Sequence, residues 1–399
     1  MAHSADNPRD ATRLRVAMCG TFDVRNYGDL LFPPVLRHEL GQRIPGVGVE
    51  CFSYYEKAPP DWPFAVSPVS RLPDLIDSFD AVVIGGGHLI RFDKEIAAGY
   101  FPPSPDLHHP TSYWLFPAML ALEANVPVIW SAVGASPELP RWGCELLREV
   151  LRGSMYISAR DSATQRTLQE LAGDREVLLV PDTVFGIRDL QLHKQTNGRK
   201  YVVIQATPHL TPYADSIRRL LVWLKNQQYD VVLLPISPAL GDDAAILKEM
   251  AGASATAASW IDPAETVAVI ANAAAVVGVS LHLSVTALAY GVPVIRPFEN
   301  TLTKYQPLHG LPGVFALEKY MEQPDLVHQA IANGGDSSEE IETFCITLGR
   351  HWDRIGDIVT APRPKRSSNL AALFQRMPFL LEEEPPVERR SFFPWRRGR

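Results

Sequence analysis

No stretch of this chain approaches the roughly 18 consecutive apolar residues that a membrane-crossing helix needs. The first thirteen residues, Met1 to Arg13, are polar and lack the apolar centre of a secretory leader. Cysteine is scarce: Cys19, Cys51, Cys144 and Cys345 are all there are in 399 residues. No CxxC or Cys/His spacing points to zinc, and so few cysteines exclude a disulfide scaffold. They read as buried thiols in a reducing compartment, so a cytoplasmic protein is expected. A cationic surface is missing as well. A net charge of −7 and a pI near 5.9 exclude a general nucleic-acid binder. No set of ligand-type residues at metal spacing stands out, so neither a metal nor a resident cofactor is expected.

What is present describes a globular protein, with 46% apolar and 21% charged residues. The length suits two domains of ~150 residues with extensions. The 34 prolines cluster in loops such as Ala58-Pro59-Pro60 and Phe101-Pro102-Pro103-Ser104-Pro105, which predicts long, stiffened loops over a site. Short apolar runs alternate with helical patterns twice. The first round has strands at Leu14–Cys19, Val49–Ser53, Ala81–Ile84, Val126–Ser131, Met155–Ser158 and Val177–Val180. Helices fall between them at Asp29–Leu40, Tyr113–Ala124, Pro140–Leu151 and Ser162–Ala172. The second round has strands at Tyr201–Gln205, Val231–Leu234, Ala275–Val279 and Val292–Arg296. Its helices are Ala214–Asn226, Asp242–Ala251, Pro263–Ala271 and Leu283–Tyr290. Such alternation predicts an α/β protein of two doubly wound, Rossmann-like domains facing a cleft, with ligands at the strands' carboxyl ends.

The boundaries follow: a disordered N-terminus (1–13), a first domain (14–190), a polar linker (191–199), a second domain (200–335), a C-terminal helix (336–360) and a tail (361–399). The helical stretch Ser338–Gly349 is placed to pack back across both domains. The tail is rich in Pro, Ser and Arg, and a largely flexible segment is expected there.

Four segments carry candidate chemistry. Gly20-Thr-Phe-Asp-Val-Arg-Asn26-Tyr-Gly28-Asp29 follows the first strand. Gly20 and Gly28 permit tight turns, and Asp29 either caps the next helix or offers its carboxylate to a ligand. Gly85-Gly86-Gly87 ends a later strand, either as an anion-binding nest of N–H groups or as a point where two backbones touch. Tyr156-Ile-Ser-Ala-Arg160-Asp161 puts an arginine at a strand end, to fork onto a carboxylate or phosphate or to pair with Asp161. Last, Val276-Val-Gly-Val-Ser280-Leu281-His282 places His282 at a strand–helix junction, as a cleft residue or a structural one.

Taken together, the segments resemble the polysaccharide pyruvyl transferase family. The carriers are Asn26-Tyr27-Gly28-Asp29, Gly85-Gly86-Gly87, Ser158-Ala159-Arg160-Asp161, Pro181-Asp182-Thr183-Val184-Phe185, and Ser280-Leu281-His282 before Ala287-Leu-Ala-Tyr-Gly-Val-Pro293. They span about residues 14 to 300 in the family's order. The resemblance implies a fold similar to GT-B glycosyltransferases and a pyruvyl transfer from phosphoenolpyruvate to a sugar of a polysaccharide or glycolipid precursor, forming a ketal. It makes Arg160 and His282 donor-binding residues, with Ser280 and Leu281 in the same segment. Ser280 stands where the family has an arginine, so Arg296 and Lys304, shortly downstream, are candidates for the missing charge.

On this reading His282 delivers the proton, Asp29 is a candidate base for a sugar hydroxyl, and Asn26, Gly28 and Gly85 to Gly87 form an acceptor or anion loop. The partners are phosphoenolpyruvate and a sugar acceptor, with no nucleic acid. The tail Arg389-Arg-Ser-Phe-Phe-Pro-Trp-Arg-Arg-Gly-Arg399 is a candidate for peripheral contact with the inner face of the membrane. Two other readings stay open, a GT-B nucleotide-sugar glycosyltransferase and a non-catalytic glycan-binding relative.

Overall fold

The computed structural model describes residues 13–92, 110–192, 200–238, 255–257, 262–298, 303–334, 337–363 and 375. The expected disordered N-terminus, linker and basic tail lie almost wholly outside these residues. So do the helix expected over Asp242–Ala251 and the Pro-rich loop after Tyr100.

Among the described residues, thirteen strands form two all-parallel sheets. The first holds β1 (Arg15–Cys19), β2 (Gly48–Ser53), β3 (Val66–Pro68), β4 (Ala81–Gly85), β5 (Val128–Val133), β6 (Tyr156–Ala159) and β7 (Leu178–Leu179), in the order β3-β2-β1-β4-β5-β6-β7. The second holds β8 (Tyr201–Gln205), β9 (Asp230–Leu234), β10 (Ala255–Ala257), β11 (Ala275–Val277), β12 (Val294–Arg296) and β13 (Val314–Ala316), in the order β10-β9-β8-β11-β12-β13. Both orders reverse beside their first strand, so each sheet has a switch point, at β1/β4 and at β8/β11. Crevices open there, outside the carboxyl ends of the strands. This is an α/β fold of two doubly wound sheets, GT-B-like in plan.

The strands arise from runs such as Ala81-Val-Val-Ile-Gly85, every residue of which is buried. Such runs read as two-sided burial in a parallel sheet. The helices that bear on the site are α1 (Phe32–Arg43), α2 (Leu115–Glu123), α3 (Arg141–Gly153), α4 (Ser162–Ala172), α5 (Ala214–Asn226), α6 (Pro263–Ala271), α7 (Leu281–Ala289), α8 (Pro324–Asn333) and α9 (Ser338–Thr360). The helix expected over Asp29–Leu40 is split: a 3-10 turn over Asp29–Leu31 leads into α1, whose Pro33 and Pro34 stand in its first turn. Proline needs no N–H there, so α1 starts where the prolines allow it.

Helix α9 (Ser338–Thr360) runs past the Ser338–Gly349 stretch read from periodicity but within the 336–360 segment expected for a C-terminal helix, and it returns to the first sheet. Arg43 reaches Asp353 at 2.8 Å and the Gly349 carbonyl at 3.2 Å, and Arg188 reaches Glu342 at 2.8 Å. Leu348, Trp352 and Ile355 are buried in an apolar cluster that also takes residues from α1, α7 and the 3-10 helix Thr183–Leu190. One core therefore runs through the junction of the two halves. Among the described residues, no helix is long and apolar enough to cross a membrane. Cys19 and Cys51 are buried and Cys144 and Cys345 half-buried, all four as free thiols. Burial pushes the Cys51 thiol up to about 12.

Candidate functional site

The loops that leave β1, β4, β5 and β6 converge with the start of α7 on one buried cluster. At its centre is Asp182, the cap of the 183–190 helix. One of its oxygens accepts from the Val184 N–H at 3.1 Å. The other accepts from Arg160 NH1 at 3.1 Å and lies 3.4 Å from His282 Nε2. Side-chain exposures of 3% for Arg160, 5% for Asp182 and 11% for His282 make this a largely desolvated trio. Burial alone would raise the Asp182 carboxyl. His282 and Arg160, helped by the Val184 N–H, outweigh burial and hold it at about 2. The carboxylate is thus a fixed negative charge that ties a strand-end arginine of the first sheet to a helix-start histidine of the second.

Arg160 follows directly on β6, and its backbone N–H donates to the Val133 carbonyl at 3.2 Å. It does not pair with the adjacent Asp161. That carboxylate caps α4, accepting from the Thr164 N–H at 2.8 Å and the Thr164 hydroxyl at 3.0 Å. With NH1 held by Asp182, the Nε of Arg160 is buried and makes no hydrogen bond among the described residues.

His282 stands in the first turn of α7. Its ring meets Phe32 edge-on, 5.2 Å between centroids. It also packs directly on Gly28, where an added β-carbon would fall 1.8 Å from Nδ1. Gly28 has ordinary right-handed backbone angles, φ −62° and ψ −45°. The glycine is required by the approach of the histidine ring, not by a tight turn as the sequence suggested. Ser280 caps α7, accepting from the Leu283 N–H at 3.4 Å, and the N–H groups of Val279 and Ser280 both donate to Gln205 Oε1 at 2.9 Å. Leu281 is buried.

Asp29 does not cap the following helix; its carboxylate accepts from Asn26 Nδ2 at 2.9 Å, and the turn begins without a side-chain cap. Asn26 in turn accepts from the Ser237 hydroxyl at 3.1 Å, across the junction. Next to it the Tyr27 N–H donates to the Ile236 carbonyl at 3.0 Å, and the buried Tyr27 phenol meets Thr286 at 2.9 Å. The 26–29 loop is a clasp between the halves as well as a wall of the cluster.

The glycine triplet packs closely against neighbouring side chains. Gly86 and Gly87 have φ of +76° and +79°, which favours glycine. A β-carbon on Gly86 would stand 2.1 Å from the Phe32 ring. The Gly86 N–H is engaged by the Ser131 carbonyl at 3.3 Å. A β-carbon on Gly87 would lie 3.0 Å from Asp29 Oδ1, which places the triplet against the 26–29 loop.

Arg296 ends β12 and is 1% exposed. Its guanidinium donates to the Val279 carbonyl at 3.2 Å and Ser284 Oγ at 3.4 Å, on either side of Ser280, and it lies 4.1 Å from the Tyr305 ring centre. It braces the start of α7 from beneath. Lys304 belongs to the 303–308 turn, and its side chain lies outside the described residues. Among the described residues, no group of three or more His, Cys, Asp or Glu is placed to hold a metal ion. A cavity of about 240 Å³ lined by Phe298, Val314, Tyr320 and Leu326 opens beside β13 and shares no residue with the cluster.

In the sequence Asp182 stands in a motif with no role attached to it, and His88 simply follows the three glycines. Both belong to the cluster. A β-carbon on Gly134 would lie 3.1 Å from His88 Nδ1 and 3.1 Å from Arg160 Nε, so the two side chains meet over that glycine. The signal for Asp182 was its Pro-Asp placement before a helix, which marks a cap; its second partner set is long-range and has no local signature.

The family described as polysaccharide pyruvyl transferase matches residues 26–301. No curated protein matches the chain. Among solved structures, the UDP-GlcNAc 2-epimerase of Neisseria meningitidis, bound to UDP-GlcNAc, superposes with a TM-score of 0.54 at 14% identity, covering 87% of this chain and 99% of its own. The UDP-GlcNAc 2-epimerase of Methanocaldococcus jannaschii, in complex with UDP-GlcNAc and UDP, gives 0.50 at 12% identity, covering 88% and 99%. These likenesses are of fold.

Proposed function

The chain belongs to the polysaccharide pyruvyl transferase family, and we propose that it transfers the pyruvyl group of phosphoenolpyruvate to a pair of hydroxyls on a sugar, forming a ketal. The observation that supports this most is the convergence of Arg160 and His282, from different sheets, on the single buried carboxylate of Asp182.

The reaction needs three things: a proton on the donor's methylene carbon, attack by sugar oxygens at its central carbon, and departure of phosphate. His282 is the proton donor. The Asp182 carboxylate 3.4 Å from Nε2 holds the ring in place, while Gly28 leaves room for it. Protonation at the methylene puts positive charge on the central carbon, which the first hydroxyl attacks. The first hydroxyl gives up its proton to Asp29 as it adds. Phosphate leaves with the C–O bonding pair and takes that proton on, and the second hydroxyl closes the ketal as its proton returns to the neutral His282. Arg160 stabilises the donor's negative charge through the guanidinium edge that Asp182 does not occupy. Asp29, at the cleft wall, is the base for a hydroxyl proton. Arg296 supports the reaction by holding the turn that aims His282.

The test is direct. Purified protein is incubated with phosphoenolpyruvate and a panel of sugar acceptors, and phosphate release is followed alongside acceptor mass. Phosphate released in step with the mass gain of one pyruvyl ketal is the expected result. Folded protein that releases no phosphate with any acceptor would overturn the proposal.

A further inference from the structure

Arg160 has two usable edges, and the structure commits only one of them. NH1 is held by Asp182 at 3.1 Å. That bond fixes the plane of the guanidinium and turns its side-on edge, Nε with NH2, toward Gly134. A β-carbon on Gly134 would fall 3.1 Å from Nε and 3.2 Å from NH2. The same point lies 3.1 Å from Nδ1 of His88, which arrives from the loop after β4 and whose other nitrogen stands 3.5 Å from the Ser136 hydroxyl. Three nitrogens from two loops therefore converge where one residue lacks a side chain. Nε is fully buried and makes no hydrogen bond among the described residues. A buried cationic N–H left in this way costs more than a neutral one, and a ligand oxygen removes that cost. The place lies beyond the carboxyl ends of β4, β5 and β6, the side of an α/β sheet at which ligands bind.

We propose that His88 and the side-on edge of Arg160 form the subsite for the carboxylate of the donor, a specificity-determining pair that selects an acidic enol phosphate over a simple phosphate ester. This rests on the reading of phosphoenolpyruvate as donor. The side-on edge of arginine matches the two coplanar oxygens of a carboxylate, and His88 adds a third donor from the opposite side. Gly134 is glycine because a methyl group there would stand between the two. On this assignment the donor's phosphate lies on the His282 side of Arg160, so the guanidinium separates the two histidines into two tasks. His88 holds the carboxylate, and His282 serves the reacting carbon.

Calorimetry with two probes tests the assignment. Phospholactate carries both the carboxylate and the phosphate, whereas ethyl phosphate carries the phosphate alone. His88→Ala should weaken phospholactate about tenfold, the loss of one charge-assisted hydrogen bond, and leave ethyl phosphate unchanged. Gly134→Ala should show the same selectivity, and if it does not fold, His88→Ala decides alone. Equal weakening of both probes, or no change in either, overturns the subsite while leaving the pyruvyl transfer reading intact. A wild-type protein that binds neither probe nor phosphoenolpyruvate overturns both.

Discussion

Two arginines close parallel strands in this molecule, one in each sheet, and they live differently. Arg160, after β6, is 4% exposed and Arg296, at the end of β12, is 1% exposed. Arg160 is neutralised by a buried carboxylate through one nitrogen and keeps an edge unbonded. Arg296 likewise leaves its Nε without a hydrogen bond among the described residues, but its terminal nitrogens go to a hydroxyl and a carbonyl of its own half and its face rests on Tyr305. Burial lowers the Arg296 guanidinium, with the nearby Tyr305 and Glu318 opposing that shift. The histidines divide in the same way. His282 sits beside a charge at the junction of the sheets, whereas His351 is sealed between the Ser131 and Tyr156 hydroxyls at 2.9 and 2.7 Å. On the proposed function one pair serves the reaction, and the other holds the frame. What separates the two strand-end arginines is the carboxylate that Arg160 shares with a histidine of the other sheet.

The comparison breaks most visibly at His282. His282→Ala should lower turnover by about 10²- to 10⁴-fold if it is the proton donor, with the circular dichroism spectrum unchanged. Near-normal turnover at saturating donor would place His282 with His351 among the structural histidines. Arg160→Lys should come next, weakening phosphoenolpyruvate by about 10²-fold in calorimetry, because a point charge cannot hold Asp182 and fork onto the donor together. An unchanged affinity would put Arg160 with Arg296.

Arg296→Lys sharpens the contrast from the other side. Lysine cannot satisfy Val279, Ser284 and the Tyr305 ring at once, so a stability loss of about 1–3 kcal/mol is expected in denaturant melts. Donor affinity should move less than about threefold, since roughly 0.6 kcal/mol is all that change requires. A loss of donor binding as large as that of Arg160→Lys, with stability unchanged, would make Arg296 the replacement for the arginine absent at Ser280.

The sheets were legible because their strands are continuous apolar runs. Tyr201–Gln205 appears with the bounds its sequence suggests, and α4, α5 and α6 do too. The strands that sequence reading missed, β3, β10 and β13, have three residues each, carry few large β-formers and sit at or next to the sheet edges. Their pairing supplies what their composition does not. In the site, Arg160 and His282 could be picked out because they follow strands. What could not be read was the reason for Gly28, which is a histidine 254 residues away in the chain, or the second role of Asp182, which exists only once β6 and α7 have been brought together. Local signals report turns and caps, and convergence is a property of the fold.

The last and smallest effect concerns His351, the frame's histidine. Burial, with Arg43 adding to it, pushes its pKa down from 6.5 to about 3, so the folded protein keeps it neutral where the unfolded chain would protonate it. The unfolded state then binds more protons, and stability falls as pH drops from about 6.5 toward 3, by up to about 1.4 kcal/mol per pH unit. Asp182 contributes in a lower window. Its carboxyl is held at about 2 against an ordinary 3.8, so its stabilisation is present above 3.8 and is lost as pH falls through 2. His328, also lowered by burial, acts in the same sense below 6.5, while Glu39, raised by burial, works in the opposite sense. The difference between wild type and His351→Gln isolates the one group. Glutamine can bond at most imperfectly to both Ser131 and Tyr156, so the variant should be less stable at pH 7 by about 1–2 kcal/mol. Between pH 6.5 and 4 it should lose stability less steeply than wild type, and the two curves should converge. Parallel curves across that range would mean that His351 is already charged in the fold, and that α9 is held to the first sheet by something other than a neutral imidazole between two hydroxyls.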